Sequence, residues 1–246
     1  MILVIDSGNS RMKWGLHEAG SWLAQGAVSN QELATLALRD WQNLQRPSRV
    51  VGVNVAGEAA RVRVEGQIAR WRLPVEWLVP AASAAGVTNR YTKPSQLGAD
   101  RWACLVAARK RIMAGNTIPP PPCLVVSAGT AVTVDALDSE GVFRGGLILP
   151  GLQLMLHSLA ERTAGLKVTP GVFDDFPRNT PDALYSGAMH AICGAIQLVR
   201  LNLDREGSAV KCFVTGGAAQ EVAPHLGRPI EVVDNLVLEG ILVLAG

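Results

Sequence analysis

The sequence lacks the features that mark several large classes of protein. No apolar run approaches the roughly 18 residues needed to span a bilayer. The net charge of +2 over 246 residues is too small to indicate nucleic acid or an anionic membrane as a partner. The chain opens with an apolar strand that carries Asp6, which does not fit a secretory signal peptide. We therefore expect a cytoplasmic protein that binds neither membrane nor nucleic acid.

Patterns for disulfides, metals and the commonest phosphate loop are missing too. The four cysteines show no C-x-x-C spacing, and three lie in apolar segments, which favours buried reduced thiols. The four histidines show no metal-ligand spacing, and we assign them no role. The pattern G-x-x-x-x-G-K-[ST] does not occur, so this is not a P-loop protein.

What the chain does contain is enough apolar sequence for a large core. Apolar residues make up 48% and charged residues 18%, which is typical of a well-packed globular protein. A chain of 246 residues can form one large domain or two lobes of ordinary size.

A degenerate internal repeat favours two lobes. The segment Asp6-Ser7-Gly8-Asn9-Ser10 follows an apolar run, and so does Ser127-Ala128-Gly129-Thr130-Ala131. Their glycines differ by 129 − 8 = 121 positions, about half of the chain. Each segment reads as a buried strand, a tight turn of small polar residues and a second strand. We expect two similar lobes whose turns face each other across a cleft and hold a polyphosphate between them.

The pattern of the remaining chain predicts an α/β protein. A capping-box pattern at Ser29-Asn30-Gln31-Glu32 predicts the start of a helix, and Asn179-Thr180-Pro181-Asp182 predicts another. Glycine and proline between residues 115 and 122 predict a linker, with an N-terminal lobe over 1–117 and a C-terminal lobe over 118–246. Strands are predicted over 2–5, 12–16, 50–55, 75–79, 124–126, 131–137, 141–149 and 211–214. Further helices are predicted over 59–69, 95–113, 152–161 and 236–244.

The first repeat segment carries the side chains expected at a phosphate site. A carboxylate such as Asp6, at the carboxyl end of a buried strand, costs free energy unless it meets a cation or donors. It suits Mg²⁺ or its waters beside nucleotide phosphates, although it could instead cap its own turn. Gly8 allows close approach of the backbone, and Asn9 and Ser10 supply neutral donors. Lys13 supplies a charge for the β- and γ-phosphates, or is an ordinary surface lysine.

A second constellation lies at the start of a mostly apolar helix. Asp100 and Arg101 could be a solvated ion pair. However, a helix amino end favours anions and directs backbone N–H groups at a ligand. Arg101 can clamp a carboxylate through two parallel hydrogen bonds. Asp100 can accept a proton from a hydroxyl nucleophile.

Four motifs follow one another along the chain: Asp6-Ser7-Gly8-Asn9-Ser10, Tyr91-x-x-Pro94-x-x-Leu97-Gly98-x-Asp100-Arg101, Ser127-x-Gly129-Thr130-Ala131 and Gly145-Gly146-x-Ile148-x-Pro150-Gly151. In this order they resemble type III pantothenate kinase, the family also named Bvg accessory factor. Asn179-Thr180 and Thr215-Gly216-Gly217 extend the resemblance towards the C-terminus. The resemblance implies the acetate and sugar kinase/Hsp70/actin fold with two ribonuclease H-like lobes, a homodimer, and transfer of the ATP γ-phosphoryl to pantothenate, the first step of coenzyme A synthesis.

The resemblance also implies roles for individual residues, with Asp100 as proton acceptor and Asp6 to Lys13 as the phosphate-binding segment. Our hypothesis from the residues themselves is that Asp6 holds Mg²⁺ through water. Ser127 stands where the family usually has an aspartate that ligates K⁺ or NH₄⁺. Serine offers only a neutral oxygen, so dependence on a monovalent cation is in doubt. ATP and its phosphates are expected at Asp6, Ser7, Gly8, Asn9, Ser10, Arg11, Met12, Lys13, Gly129 and Thr130. Pantothenate is expected at Tyr91, Gly98, Ala99, Asp100, Arg101 and Thr180.

Two other functional classes stay open at this point. The accessory-factor name denotes a role in activating transcription, although the net charge and the absence of a recognisable DNA-binding helix pair argue against direct contact with DNA. The other alternative is a nucleotide-binding module without catalysis, for which Ser127 is the one hint.

Overall fold

The computed structural model describes residues 1–162, 169–204 and 209–246. The chain forms two compact units, Met1–Lys110 together with Asn235–Gly246, and Arg111–Asp234. The division at residues 117 and 118 stays a prediction. The last helix belongs to the first unit, because Leu238 and Ile241 pack in a core cluster with Val4. Over the described ranges, no helix has the length and apolar character needed to cross a membrane.

The first unit is built on a five-stranded sheet in the order β3-β2-β1-β4-β5. β1 is antiparallel to β2 and parallel to β4, and β5 is parallel to β4. The sheet strands are β1 (Ile2–Ser7), β2 (Arg11–Glu18), β3 (Ser21–Ser29), β4 (Arg49–Asn54) and β5 (Val75–Trp77), with a short hairpin of β6 (Ser83–Ala84) and β7 (Val87–Asn89). The helices are α1 (Glu58–Ile68), α2 (Ala99–Ala114) and α6 (Leu236–Ala245), with 3₁₀ turns at Leu33–Leu38, Ala69–Trp71 and Pro94–Gln96.

The second unit repeats this strand order. β8 is antiparallel to β9 and parallel to β11, β10 adds to β9, and β12 adds to β11. The order β10-β9-β8-β11-β12 therefore matches β3-β2-β1-β4-β5 in neighbours and directions. The strands are β8 (Cys123–Ala128), β9 (Ala131–Leu137), β10 (Val142–Pro150), β11 (Lys211–Thr215) and β12 (Ile230–Val232). The helices are α3 (Leu152–Arg162), α4 (Thr180–Leu203) and α5 (Ala219–Val222), with a 3₁₀ turn at Ala223–His225.

Both faces of β1 are buried, and the alternation of its side chains determines which way Asp6, at its polar end, is directed. Because successive side chains of a strand point to opposite faces, Leu3 and Ile5 enter one core cluster of the first unit, beneath Trp41. Val4 enters the other, with Ala99 and Ala103 of α2. Asp6 shares the face of Val4, so the strand carries its carboxylate towards the amino end of α2.

Most predicted elements are confirmed within a few residues, and the helix predicted from Ser29 is wrong. Strand β3 runs to Ser29 and a 3₁₀ turn follows at Leu33–Leu38. The capping contacts themselves form: Ser29 Oγ donates to Glu32 Oε2 at 2.8 Å and accepts from the Glu32 N–H at 3.3 Å. The predicted capping contacts are therefore present, but they stabilise a turn at the end of β3 and not the start of an α-helix.

The second sheet contains a bulge, and the prediction for the cysteines is confirmed. The glycine pair Gly145-Gly146 marks a bulge, because the register of β10 against β9 shifts between Phe143 and Gly145. The four cysteines are reduced and buried, as predicted. Burial raises the pKa of the Cys193 thiol to about 11 and that of Cys212 to about 12, which keeps both protonated and unreactive near neutral pH.

Candidate active site

The first turn, residues 8–11, connects β1 to β2 at the polar end of the first sheet. The Gly8 N–H donates to the Arg11 carbonyl at 3.2 Å, which closes the turn. The register pairs Asp6 with Lys13 and Ser7 with Met12. Directly opposite residues of an antiparallel pair share a face, so the carboxylate of Asp6 and the ammonium of Lys13 belong to one side of the sheet.

Ser7 and Met12 belong to the other side of the sheet, and their side chains lie in the core. Met12 is fully buried and Ser7 is 1% exposed. Of the predicted phosphate-binding residues in this segment, these two therefore offer a ligand only their backbone atoms. Asn9, Ser10 and Arg11 are exposed, and Asp6, Gly8 and Lys13 are partly exposed.

Asp6 has the most perturbed acidity in the site. Its pKa is raised from 3.8 to about 7. The largest cause is desolvation by burial, and the negative charge of Asp100 raises the pKa further, while the positive charge of Lys13 lowers it. The residue as a whole keeps some accessible surface, although protein surrounds its carboxylate. The carboxylate of Asp6, with its raised pKa and with Asp100 nearby, suits a divalent cation, because carboxylate oxygens are the ligands that Mg²⁺ prefers.

The amino end of α2 fixes Asp100 by its local geometry. The carboxylate accepts from the Arg101 N–H at 2.8 Å, and the Gly98 carbonyl accepts from Trp102 at 2.9 Å. A Cβ at Gly98 would lie 2.6 Å from Asp100 Oδ1, so any larger residue would displace the carboxylate. Ala99 is buried in the cluster with Val4. Residues 98–101, predicted to bind pantothenate, thus form a rigid helix start that holds the carboxylate of Asp100 in a fixed position.

Arg101 and Tyr91 form a pair beside Asp100. Arg101 is buried, 6% exposed, and its Nη1 donates to the Tyr91 hydroxyl at 3.2 Å. The guanidinium lies 5.9 Å from the centre of the Tyr91 ring. A ligand that reaches this guanidinium does so alongside the phenol.

Asn89 holds the loop that carries Tyr91, and the sequence analysis missed it. Its Oδ1 accepts from the Tyr91 N–H at 3.0 Å. Its Nδ2 donates to the carbonyls of Ala81 at 3.3 Å and Pro94 at 3.2 Å. Asn89 is 7% exposed, so this side chain forms the buried centre of the loop. Its only signal in the sequence was its position two residues before Tyr91, which is the spacing of an Asx-turn.

The second turn, residues 129–131, connects β8 to β9 in the other unit. The Gly129 N–H donates to the Ala131 carbonyl at 3.0 Å, and the Thr130 carbonyl accepts from Gly151 at 2.8 Å. A Cβ at Gly151 would lie 2.1 Å from the Gly129 oxygen, and one at Gly216 would lie 2.4 Å from the Ala128 oxygen. The backbone of two glycine-containing segments therefore packs directly against this turn.

Ser127 and Thr180 are also in the second unit. Ser127 is partly buried, opposite Thr133 and beside Thr215 in the sheet. Its two sheet neighbours carry hydroxyl groups, so its immediate surroundings in the sheet are neutral. Thr180 begins α4 and is exposed. Asn179 caps this helix as predicted, by accepting from the Asp182 N–H at 3.0 Å.

Comparison with known proteins decides the family. A family model described as type III pantothenate kinase matches residues 2–200. The chain belongs to the type III pantothenate kinase family. A protein of Nitrosospira multiformis named type III pantothenate kinase is 45% identical over 246 residues, covering 100% of this chain and 91% of that protein. One of Leptothrix cholodnii with the same name is 46% identical over 250 residues, covering 99% and 95%.

Solved structures bear on the fold of this family member. A Campylobacter jejuni structure titled a Baf family transcriptional activator is 21% identical, with a TM-score of 0.63 over 98% of this chain and 95% of that one. A Sinorhizobium meliloti structure described as a 2-dehydro-3-deoxygalactonokinase is 12% identical, with a TM-score of 0.60 over 100% and 96%. The predicted α/β fold with two similar lobes, of the acetate and sugar kinase/Hsp70/actin type, is confirmed. At these identities the likeness concerns the fold alone.

The predicted resemblance to type III pantothenate kinase is confirmed, and the regulatory and idle alternatives find no support in the family match or in the relatives' names. Within the first unit, the structure brings together Asp6, Lys13 and Asp100, and separately Tyr91 and Arg101. The roles of these residues towards a substrate stay predictions, as do those of Gly129, Thr130 and Thr180 in the second unit.

Proposed function

We propose that this protein is a pantothenate kinase, which transfers the γ-phosphoryl of ATP to the terminal hydroxyl of pantothenate and yields 4′-phosphopantothenate and ADP. Membership of the type III pantothenate kinase family carries this proposal. Asp100, at the start of α2 and near enough to raise the pKa of Asp6, supports the proposal as the acid–base group. The product would enter coenzyme A synthesis at its first step.

The phosphates of ATP would lie against the first turn. Phosphoryl transfer depends mainly on positioning and on neutralising charge. Lys13 would meet phosphate oxygens, while the exposed turn from Gly8 to Arg11 supplies backbone and side-chain donors. Asp6 would hold the Mg²⁺ of Mg·ATP through water, and the ion would supply positive charge that neutralises the phosphates.

Asp100 would act on the hydroxyl that attacks. An oxygen–phosphorus bond forms between the pantothenate hydroxyl and the γ-phosphorus, the bond from that phosphorus to the β–γ bridging oxygen breaks, and ADP leaves. The hydroxyl proton passes to Asp100, whose other hydrogen bond to the Arg101 N–H holds the carboxylate in place. General-base assistance of this kind typically accelerates a reaction about 10²–10⁴-fold.

Arg101 and Tyr91 would bind the pantothenate carboxylate as a pair. The guanidinium supplies the charge, and the phenol, which accepts from Nη1, orders it. Arginine–carboxylate hydrogen bonds are short and strong because both partners are charged. Since Arg101 is buried, the substrate carboxylate would be desolvated when it arrives, which favours an anion of the right shape.

A coupled ADP-release assay, with and without pantothenate, tests the proposal. We expect ADP release that requires pantothenate and a phosphorylated product of the expected mass. Asp100→Asn should lower kcat by at least about 10²-fold and leave ATP binding nearly unchanged. ADP release that ignores pantothenate, or no release at all, would exclude the kinase; near-normal turnover of Asp100→Asn would remove this residue from the mechanism.

The proposed binding of the pantothenate carboxylate by Arg101 and Tyr91 has its own test. Arg101→Ala should raise the KM for pantothenate with a smaller effect on the KM for ATP, and Tyr91→Phe should produce a weaker change in the same direction because the ring remains. An unchanged KM for pantothenate in Arg101→Ala contradicts the proposed clamp.

We also propose a homodimer. Two large apolar side chains of α4 remain exposed, Leu198 at 60% and Leu201 at 70%, and helix faces of this kind commonly pack in an assembly. Sedimentation equilibrium should give twice the mass of 26.1 kDa. A monomer at micromolar concentration would refute this part of the proposal.

A further inference from the structure

Asn30 is tied to the first turn by three hydrogen bonds, and nothing in the chemistry above uses it. Its Nδ2 donates to the Gly8 carbonyl at 3.0 Å and to the Asn9 carbonyl at 2.7 Å. Its backbone N–H donates to the Ser10 carbonyl at 3.2 Å. One residue thus engages three consecutive carbonyl groups of the predicted phosphate-binding turn. The fourth carbonyl, that of Arg11, accepts from Gly8 within the turn.

These contacts determine which way the peptide groups of the turn face. A trans peptide is planar, with its C=O and N–H pointing in opposite directions. When Asn30 draws the Gly8 and Asn9 carbonyls towards itself, the N–H groups of Asn9 and Ser10 are directed to the opposite side. Successive backbone N–H groups on one side of a turn form an anion-binding concavity. The same contacts turn away the carbonyl oxygens, which would repel a phosphate.

Asn30 is itself held in place from two sides. It follows Ser29, the last residue of β3, which pairs with Arg11 in the sheet. Its carbonyl accepts from Arg63 Nη1 of α1 at 3.3 Å. The side chain therefore projects from a fixed backbone rather than from a free loop, and it can impose its geometry on the turn.

We propose that Asn30 is a positioning residue for nucleotide phosphates, acting through the first turn. This inference rests on the proposed function: the phosphates are those of ATP. Asn30 need not touch the nucleotide. It orders the donors that do, so its loss should weaken nucleotide binding and spare pantothenate binding.

Three variants test this. Asn30→Ala removes the bridging amide. Asn30→Asp keeps the shape but places a carboxylate oxygen against two carbonyl oxygens, and should be worse than alanine. Ser29→Ala is the matched control, because its side chain contacts Glu32 and not the turn. We expect the Kd for Mg·ADP and the KM for ATP to rise about tenfold in Asn30→Ala, equivalent to about 1.4 kcal/mol. The KM for pantothenate should stay unchanged in all three variants.

Hydrogen exchange supplies a readout that a general loss of stability would not mimic. The amides of Asn9 and Ser10 should exchange faster in Asn30→Ala, while those of the β1 core should keep their wild-type rates. If Asn30→Ala does not fold, Asn30→Ser, whose short hydroxyl cannot bridge both carbonyls, takes its place. Unchanged Mg·ADP binding in the folded variant, or an equal loss in Ser29→Ala, overturns the proposal.

The two proposals fail in different ways. If the wild type releases no ADP with pantothenate, the proposed kinase is wrong, while the ratio of Mg·ADP affinities between wild type and Asn30→Ala still decides the role of Asn30. If the wild type is an active kinase and that ratio is one, the role of Asn30 is wrong and the kinase stands.

Discussion

The first and second turns occupy the same place in two sheets of the same strand order, yet they are built differently. Between the paired residues Ser7 and Met12 lie residues 8–11, whereas only residues 129–131 lie between Ala128 and Val132. The longer first turn is held by a side chain, that of Asn30. The shorter second turn is held by backbone, through Gly151 and through the Ala218 N–H, which donates to the Ala128 carbonyl at 2.9 Å.

The two turns also differ in charge: charged side chains lie beside the first turn and neutral ones beside the second. The first has Asp6 opposite Lys13 and Asp100 nearby. At the equivalent positions the second has Ser127 opposite Thr133, both neutral. One strand–turn–strand scaffold thus places charge in the first unit and permits close backbone packing in the second. A duplicated fold does not imply duplicated chemistry.

Removing charge from the first turn should have the largest effect. We expect Asp6→Asn to lower kcat by at least about 10²-fold, since it removes the carboxylate proposed to hold Mg²⁺ beside the phosphates. Ser127→Ala, the equivalent change beside the second turn, should cost less than about tenfold, because it removes only a neutral oxygen. Steady-state kinetics at saturating substrates measure both; equal losses would contradict the division of roles.

An added methyl group should destabilise the protein more at the second turn than at the first, the reverse of the order expected for the loss of charge. In Gly151→Ala the new methyl would meet the Gly129 oxygen at 2.1 Å, so the backbone must move, and we expect a loss of about 2–3 kcal/mol in the free energy of unfolding. In Gly8→Ala the nearest atom is the Arg11 oxygen at 3.1 Å, and the loss should stay below about 1 kcal/mol. Urea denaturation without nucleotide gives both values.

Gly66→Ala provides the reference for that experiment. Gly66 lies within α1, and a Cβ there meets nothing within 4 Å, so this change should stabilise the protein by about 0.5–1 kcal/mol through helix propensity alone. If Gly8→Ala destabilises more than Gly151→Ala on this scale, the contrast between a turn held by a side chain and one held by backbone is wrong.

The repeat and its turns could be predicted from the sequence because both depend on local signals. An apolar run that ends in aspartate or serine and then glycine predicts a strand and a turn at each position. Asp100 could be found for a similar reason, since a helix start is visible in the spacing of Trp102 and Leu105. These features need no knowledge of what packs against them.

What could not be predicted depends on contacts between distant segments. Strand β3 contains Gly26, a poor strand former, but Trp14 lies directly opposite and its ring covers the space of the missing side chain. The three bonds from Asn30 to the first turn span about 20 positions, and the local capping pattern pointed elsewhere. The last helix packs with residue 4 because Gly240 allows its backbone to approach Ala103.

The raised pKa of Asp6 predicts a moderate, pH-dependent effect of Asp6→Asn on the free energy of unfolding. Its folded pKa is raised from 3.8 to about 7, so the contribution of this group is most favourable below pH 3.8 and is lost as the pH rises through about 7. Asp6→Asn removes this dependence. In magnesium-free buffer it should be more stable than the wild type by about 1–2 kcal/mol above pH 7, with the difference vanishing near pH 4. Ser127→Ala should leave the profile unchanged, and a less stable Asp6→Asn at pH 8 would contradict the assignment.

The smallest effect should come from the choice of monovalent cation, and it tests the second turn directly. Ser127 and its sheet neighbours supply neutral oxygens, which bind K⁺ or NH₄⁺ far more weakly than a carboxylate does, so the wild type should show similar rates in Na⁺, K⁺ and NH₄⁺ salts at equal ionic strength. Ser127→Asp restores the charge and should create a preference for K⁺ or NH₄⁺ over Na⁺. Wild-type activity that disappears in Na⁺ would mean that neutral oxygens suffice there, and the electrostatic contrast between the two turns would then lose its functional meaning.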